Sequence, residues 1–203
     1  ALLSQLPVVQ LPESDAGKPA ASSAKPPSEP KPGTAPVVAA VPSVTIVPCT
    51  EIDEANILAD PRGQWATTAT ASSEYGKDRY NAAQATGVPN VATYSDNPNA
   101  WCYGGSTGSE VWLEVGFAQP IRATELRVRQ SYTPGALVKV EALAADGHAH
   151  VLWEGLDQNS YPKDQISWFV LRFPATPFLI QHVKLTLNVS ITPGWKQIDA
   201  VQL

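Results

Sequence analysis

The chain has 203 residues, of which 43% are apolar and only 16% are charged, and it contains 19 prolines, 13 glycines and no methionine. Few charges and many prolines exclude a coiled coil and favour β structure with long connections. With 14 basic against 19 acidic residues and a formal charge of −5, the chain lacks a cationic field, which argues against nucleic-acid partners and anionic membrane surfaces.

Residues 1–48 are predicted to be a Pro/Ala-rich linker or tail. They contain 10 of the 19 prolines, and the first aromatic residue of the chain is Trp65. A segment without large rings cannot bury enough surface to offset its conformational entropy, and its prolines favour extended polyproline geometry. The N-terminal part of this segment is more apolar than a spacer requires. Docking of this part on a partner is therefore an alternative to a role as a spacer.

A short helix and a turn are predicted over residues 49–63, leading into the domain. The pattern begins with Thr50 as a cap, followed by Asp53 three residues later, and Asp60-Pro61 signals the turn that ends it. Ile52 and Leu58 are expected to face inward.

From Trp65 onward the signals are those of strands. Val111, Leu113 and Val115 alternate with Trp112 and Glu114, a period of two that is typical of a half-buried antiparallel strand. About eight such strands are expected, separated by turn signals that include Pro134-Gly135, Asp146-Gly147 and Pro193-Gly194. The sequence therefore predicts an all-β, antiparallel jelly-roll β-sandwich over residues 64–203.

Several segments in order carry a resemblance to a known family: 71–75, 83–90, 99–101, 110–117, 127–137 and 195–203. As a set they resemble the discoidin-like, galactose-binding-like jelly rolls, also called coagulation factor 5/8 C-type domains. The resemblance implies a non-catalytic module that attaches to sugars, lipid headgroups or proteins, and no enzyme. The fold alone names no ligand.

The loop Tyr94–Gly105 is the richest candidate site, because aromatic faces stack on sugar rings while Asp and Asn side chains pair with vicinal hydroxyls. Its ligand-binding candidates are Tyr94, Asp96, Asn97 and Tyr103, whereas Trp101 is expected under the loop. Arg129 and Tyr132 are added from a second loop nearby, although Tyr132 can equally cap the sheet. These residues favour carbohydrate as the partner; the alternative is a protein that docks with help from the Pro-rich segment.

The resemblance also raises two structural questions. Many related jelly rolls hold a structural calcium ion, for which Asp78, Asp96 and Asp199 are the candidate carboxylates, although no cofactor is required. Many members carry a disulfide, and here Cys49 and Cys102 are the only cysteines. Either they pair, as an even count in an exported chain favours, or both remain free thiols.

The expected location is secreted, periplasmic or cell-surface. No run of the sequence approaches the roughly 18 apolar residues of a spanning helix, so no direct membrane insertion is expected. The chain also begins at Ala1 rather than Met, which suits a processed or shortened chain.

Overall fold

Alternation of apolar and polar residues folds the domain into two stacked antiparallel sheets. The computed structural model describes residues 43–105 and 108–203. Sheet A has the strand order β1-β8-β5-β10-β3 and sheet B the order β2-β4-β9-β6-β7. The predicted all-β antiparallel sandwich is therefore confirmed.

The described residues form ten strands. Their bounds are β1 Thr45–Ile46, β2 Ala66–Ala71, β3 Trp101–Cys102, β4 Glu110–Ile121, β5 Glu125–Tyr132, β6 Leu137–Ala144, β7 Ala149–Glu154, β8 Ser167–Arg172, β9 Ile180–Asn188 and β10 Gln197–Gln202. Eight of these are the strands that the alternation predicts. The two others, β1 and β3, are two residues long, and a period of two cannot be recognised in so short a segment.

The core lies between the sheets, and β4 shows how the sequence builds it. Val111, Leu113 and Val115 point inward and are at most 1% exposed, while Trp112 and Glu114 point outward from sheet B. Complete burial of each such apolar side chain stabilises the fold by about 1.5–3 kcal/mol. Leu126, Val128 and Phe169 close the core from sheet A.

A short helix, α1 (Glu54–Ala59), covers the outer face of sheet A. A single turn of 3-10 helix precedes it at Cys49–Glu51. The helix cap is Asp53, whose carboxylate accepts a hydrogen bond from the Ala55 amide, so the prediction of Thr50 as the cap is wrong. Ile57 packs with Val47, Trp168 and Val170 in a second small core.

The prediction that Ile52 and Leu58 face inward is correct for only one of the two residues. Ile52 packs against the second core, but Leu58 is 49% exposed. The cap of the helix lies three residues later than predicted, and Ile57 rather than Leu58 faces the sheet.

The end of the chain pairs with the start of the β-rich region, as the sequence predicts. Leu203 and Gln64 exchange two backbone hydrogen bonds of 2.9 Å. Residues 1–42, which hold most of the predicted linker, lie outside the described residues. Neither α1 nor the 3-10 turns of the described segments is long enough to cross a membrane.

The two cysteines are free, so the alternative of a disulfide between them is wrong. Cys49 follows β1 at one edge of sheet A, and Cys102 lies in β3 at the other edge. Four strand spacings of about 4.8 Å separate these edges, roughly 19 Å in all. A disulfide requires Cα atoms within about 7 Å.

Candidate functional site

The candidate site lies at one end of the sandwich, where five connections meet. We call this region the loop end; its described residues are 72–100, 103–105, 108–109, 133–136, 155–166 and 189–196. The register places these connections together because β2 ends beside the start of β4, and β9 ends beside the starts of β4 and β6. The β5 end lies next to the β10 start in the same way.

Aromatic side chains concentrate at the loop end. All six tyrosines of the chain, each within the described ranges, lie in these connections or at a strand end beside them: Tyr75, Tyr80, Tyr94, Tyr103, Tyr132 and Tyr161. Trp195 joins them from the turn before β10. Such clustering is typical of recognition surfaces, where rings supply large contact area at low entropic cost.

Tyr75 is the most exposed ring of the cluster, with 59% of its surface accessible. Tyr80 and Trp195 support it edge-on, with ring centroids 5.3 and 5.2 Å away. Tyr103 packs on the other side of Trp195 at 5.2 Å. The close approach of Gly105 to Trp195 permits this packing, because a Cβ at Gly105 would lie 2.9 Å from the indole ring.

Tyr94 and Tyr132 form a second ring pair, with centroids 5.0 Å apart. Thr133 links this pair to Trp195: its amide donates a 3.4 Å hydrogen bond to the Tyr94 hydroxyl, and its hydroxyl donates to the Trp195 carbonyl. The structure therefore brings Tyr94, Tyr103 and Tyr132 of the predicted set together at one end.

Asp96 supplies the carboxylate of the cleft beside the Tyr75 ring. It is exposed and lines a cleft of about 30 Å³ with Tyr75, Tyr80, Cys102 and Trp195. Burial and the neighbouring Asp96 carboxylate raise the pKa of Tyr80. Burial, with the same carboxylate nearby, raises the pKa of Cys102 to about 12.

The buried side chain of Gln197 fixes the loop that carries Asp96 and Asn97. Its amide nitrogen donates a 2.6 Å hydrogen bond to Asp96, and its oxygen accepts one of 3.0 Å from the Asn97 backbone amide. Asn97 in turn accepts a bond from the Asn99 amide. Asp96 and Asn97 are thus held in place by hydrogen bonds with Gln197 and Asn99.

A lysine fixes the turn that carries Trp195. Lys196 is 2% exposed, and its Nζ donates to the carbonyls of Thr192, Pro193 and Gly194 at 2.7–3.2 Å. Burial lowers the pKa of this lysine to about 8. Lys196 therefore acts on the loop end as a positioning residue for Trp195.

Arg129 does not lie on the loop-end surface where the sequence predicts it. It is 5% exposed beneath α1, and Glu54 accepts two hydrogen bonds from its guanidinium, at 3.0 and 3.1 Å. Its Nη1 donates to Asp199 at 2.8 Å and to the Val91 carbonyl. The guanidinium is fully engaged inside the fold.

The three carboxylates proposed for calcium do not form a group. In residues 43–105 and 108–203, no set of three or more His, Cys, Asp and Glu side chains gathers to hold a metal. Asp199 pairs with Arg129, Asp96 pairs with Gln197, and Asp78 is exposed. The Arg129 guanidinium already supplies the positive charge beside Asp199, so these residues do not fit a calcium ion that would use this carboxylate.

Four aromatic residues of the loop end are absent from the predicted set: Tyr75, Tyr80, Tyr161 and Trp195. Trp195 opens the closing strand, a position more typical of a core residue. The signal that identifies the three tyrosines is the concentration of tyrosines in predicted loops, which a residue-by-residue search overlooks.

Comparison with known families identifies the domain. Residues 55–203 match the family model described as "Pappalysin-1, SD scarf domain, C-terminal". The chain belongs to this scarf-domain family. The match includes every strand of the scarf domain except β1, together with most of α1 and the whole loop end.

Solved structures are similar to the scarf domain in fold. One is a family 32 CBM from C. perfringens NanJ in complex with galactose, at 16% identity and a TM-score of 0.47, covering 69% of this chain and 97% of that one. Another is a two-domain protein of unknown function from Bacteroides fragilis, at 13% identity and a TM-score of 0.44. The similarity covers 71% of this chain and 45% of the Bacteroides fragilis protein. No curated protein matches the sequence.

Proposed function

We propose that the domain is a non-catalytic, extracytoplasmic binding module that recognises carbohydrate through the loop end. The observation that carries this proposal is the exposed Tyr75 ring, supported by Tyr80 and Trp195, beside the exposed Asp96 carboxylate. An aromatic face packs against the C–H face of a sugar ring, and a carboxylate accepts hydrogen bonds from its hydroxyls.

Preorganisation supports the proposal. Gln197 fixes the Asp96 loop, and Lys196 fixes the Trp195 turn. Rigid groups lose little conformational entropy when a ligand binds, so more of the contact energy is retained as affinity.

Binding rather than turnover suits the carboxylates of the site. Glycoside hydrolysis generally uses two carboxyl groups that flank the scissile bond. The Tyr75–Trp195 cleft is lined by the single carboxylate of Asp96. An open site with one carboxylate is suited to holding a sugar.

A glycan array with three loop-end variants and one control variant tests the proposal. We expect Tyr75→Ala and Asp96→Asn to lower the apparent affinity for the bound glycan at least tenfold, because each removes a direct contact. Tyr75→Phe keeps the ring and should stay within threefold of wild type. Leu58→Ala, at an exposed position of α1, is the control and should bind as wild type does.

Two results would reject the loop-end proposal. One is that both Tyr75→Ala and Asp96→Asn bind within twofold of wild type. The other is that the full chain binds no glycan on an array that includes monosaccharides and oligosaccharides from bacterial, plant and animal sources.

Two further parts of the proposal come from the sequence alone. Fractionation of the source cells, followed by an antibody against the domain, tests the extracytoplasmic location. The alternative of a protein partner that is captured with help from the Pro-rich segment stays a prediction, and deletion of residues 1–42 checks it. Loss of a protein partner's binding upon this deletion, with glycan binding absent, would favour the alternative.

A further inference from the structure

The outer face of sheet B carries a second cluster of ring and polar side chains, separate from the loop end. Trp112 on β4 lies opposite Thr186 on β9, which lies opposite Lys139 on β6, which in turn lies opposite Glu154 on β7. The neighbouring row contains Glu114, Lys184, Glu141 and Val151 in the same strand order. We call these two rows the Trp112 face.

A shallow trough of about 740 Å³ lies over six residues of the Trp112 face, namely Trp112, Thr186, Lys139, Glu154, Lys184 and Glu141, and Gly155 and Leu156, after β7, line it as well. This volume falls within the range of ligand sites in proteins. The cleft at the loop end, by comparison, measures about 30 Å³.

Charges of opposite sign alternate across the strands. Lys184 lies between Glu114 and Glu141 in the register, and Lys139 forms a 2.9 Å ion pair with Glu141. The Lys184 ammonium also lies 5.0 Å from the centre of the Trp112 ring. Neighbouring strands are about 4.8 Å apart, so hydrogen-bond donors and acceptors alternate at that interval.

This alternation selects among ligand classes. A polyanion would meet the carboxylates of Glu114, Glu141 and Glu154, and a polycation would meet the two lysines. A chain of neutral hydroxyls can donate to each carboxylate and accept from each ammonium in turn. A half-buried tryptophan beside these groups provides an apolar surface for the ring faces of such a chain.

A peptide ligand is a poorer match. Peptides that add to a sheet pair with the backbone of an edge strand, whereas β4, β9 and β6 are interior strands whose backbone groups are already paired. Only side chains are available to a ligand on this face.

We propose that the Trp112 face is a second carbohydrate-binding surface, which takes an extended neutral oligosaccharide rather than a single sugar. The cleft beside Tyr75 and the trough over the Trp112 face share no lining residue, so this site does not depend on the loop-end proposal. A module with both sites would bind a branched or long glycan at two points, and its avidity would exceed either affinity.

The test is binding of the full chain to arrayed linear neutral oligosaccharides of four to six units, with their monosaccharides alongside. Tyr75→Ala, which removes the loop-end ring, should still bind at least one oligosaccharide. Trp112→Ala should lose at least tenfold in affinity for that oligosaccharide, and Trp112→Phe, which keeps a ring, should lose less than threefold. The double variant Tyr75→Ala/Trp112→Ala should bind neither the oligosaccharides nor the monosaccharides.

Thermal unfolding of each variant separates a lost site from a lost fold, and the Phe variant keeps the test informative if the Ala variant unfolds. Three outcomes would overturn the proposal: Trp112→Ala within twofold of wild type, loss of all oligosaccharide binding in Tyr75→Ala, or no oligosaccharide binding by any variant. Peptides that bind in a Trp112-dependent way, without neutral glycans, would overturn it as well, since the face would then be a protein-docking surface.

Discussion

The loop end and the face of sheet A beneath α1 are built from the same kinds of residues with opposite results. Beneath α1, Trp168 is 4% exposed, Arg129 5% and Asp199 0%, and these side chains bond to Glu54 or to each other. At the loop end, Tyr75 is 59% exposed, and Asp96 is exposed although one of its oxygens accepts a hydrogen bond from Gln197. Rings and charges that are satisfied internally hold the fold together, and those that remain open can bind.

Glu54 joins α1 to sheet A. Its carboxylate accepts hydrogen bonds from the Arg129 guanidinium and from the Trp168 indole, at 2.7 Å for the indole. Partial burial opposes ionisation, but these bonds prevail and lower the pKa of Glu54. The helix is therefore held by a charged network as well as by the Ile57 contact.

The first prediction concerns the loss of the buried arginine beneath α1. Arg129→Ala leaves Asp199 as an unpaired buried carboxylate and should lower the free energy of unfolding by about 3–5 kcal/mol. Urea denaturation measures this loss. Arg62→Ala is the matched control, because Arg62 pairs with Asp60 but its side chain is 86% exposed, and it should cost less than about 1 kcal/mol. Equal losses in the two variants would show that the network does not stabilise the fold.

The second prediction contrasts the two thiols. Cys102 is 2% exposed at the loop end and its pKa is raised by burial to about 12, whereas Cys49 is partly exposed. A thiol-specific reagent should label Cys49 in the native protein at least about a hundredfold faster than Cys102, because the thiolate is the reactive form. Both should react after denaturation without reductant. Labelling of neither would indicate the disulfide that the structure rules out.

The third prediction concerns Lys196, which positions Trp195. Burial lowers its pKa in the folded state to about 8, from the usual 10.5. The unfolded chain therefore binds more protons between these values, and the free energy of unfolding should rise with pH in that window. The rise should be at most about 1.4 kcal/mol per pH unit.

Denaturation of wild type and Lys196→Met at pH 7, 8, 9 and 10 measures this effect. From pH 8 upward, the free energy of unfolding of wild type should increase relative to that of Lys196→Met. A constant difference, or a shift in favour of Lys196→Met, would mean that the ammonium is not disfavoured by its site.

The fourth prediction has the smallest effect. Because the Arg129 guanidinium compensates the Asp199 carboxylate, addition of a calcium chelator should leave the melting temperature unchanged to within about 1 °C. A drop of several degrees, restored by calcium but not by magnesium, would show a calcium site that these contacts do not predict.

The sheets could be read from the sequence because alternation is a local signal. Val111 to Val115 show their inward and outward faces within five residues, and β5 and β6 were found in the same way. The turn signals between apolar runs located the other longer strands, although β8 and β10 are buried on both faces. The two-residue strands and the exact start of α1 were missed, since pairing across the sheet decides the former and the Asp53 cap decides the latter.

The candidate site was harder to predict because its contacts span long separations in the chain. Arg129 and Glu54 are 75 residues apart, and Gln197 and Asp96 are 101 apart. An outward-facing arginine on a strand has the same local sequence whether a helix covers it or solvent does. The sequence grouped Tyr94, Asp96, Asn97 and Tyr103 as candidates, and the structure places these four residues at one end of the sandwich. The sequence could not distinguish the open groups from the satisfied ones.

The indole N–H signals of the chain offer the most direct test of this distinction. In a proton–nitrogen NMR titration of the full chain with the best glycan from the array, the Trp195 signal at the loop end should shift in proportion to occupancy. The Trp168 signal, whose N–H is bound to Glu54 beneath α1, should stay in place. A glycan that binds while Trp195 is unmoved and Trp168 shifts would contradict the account, because the ligand would then engage the region assigned here to stability.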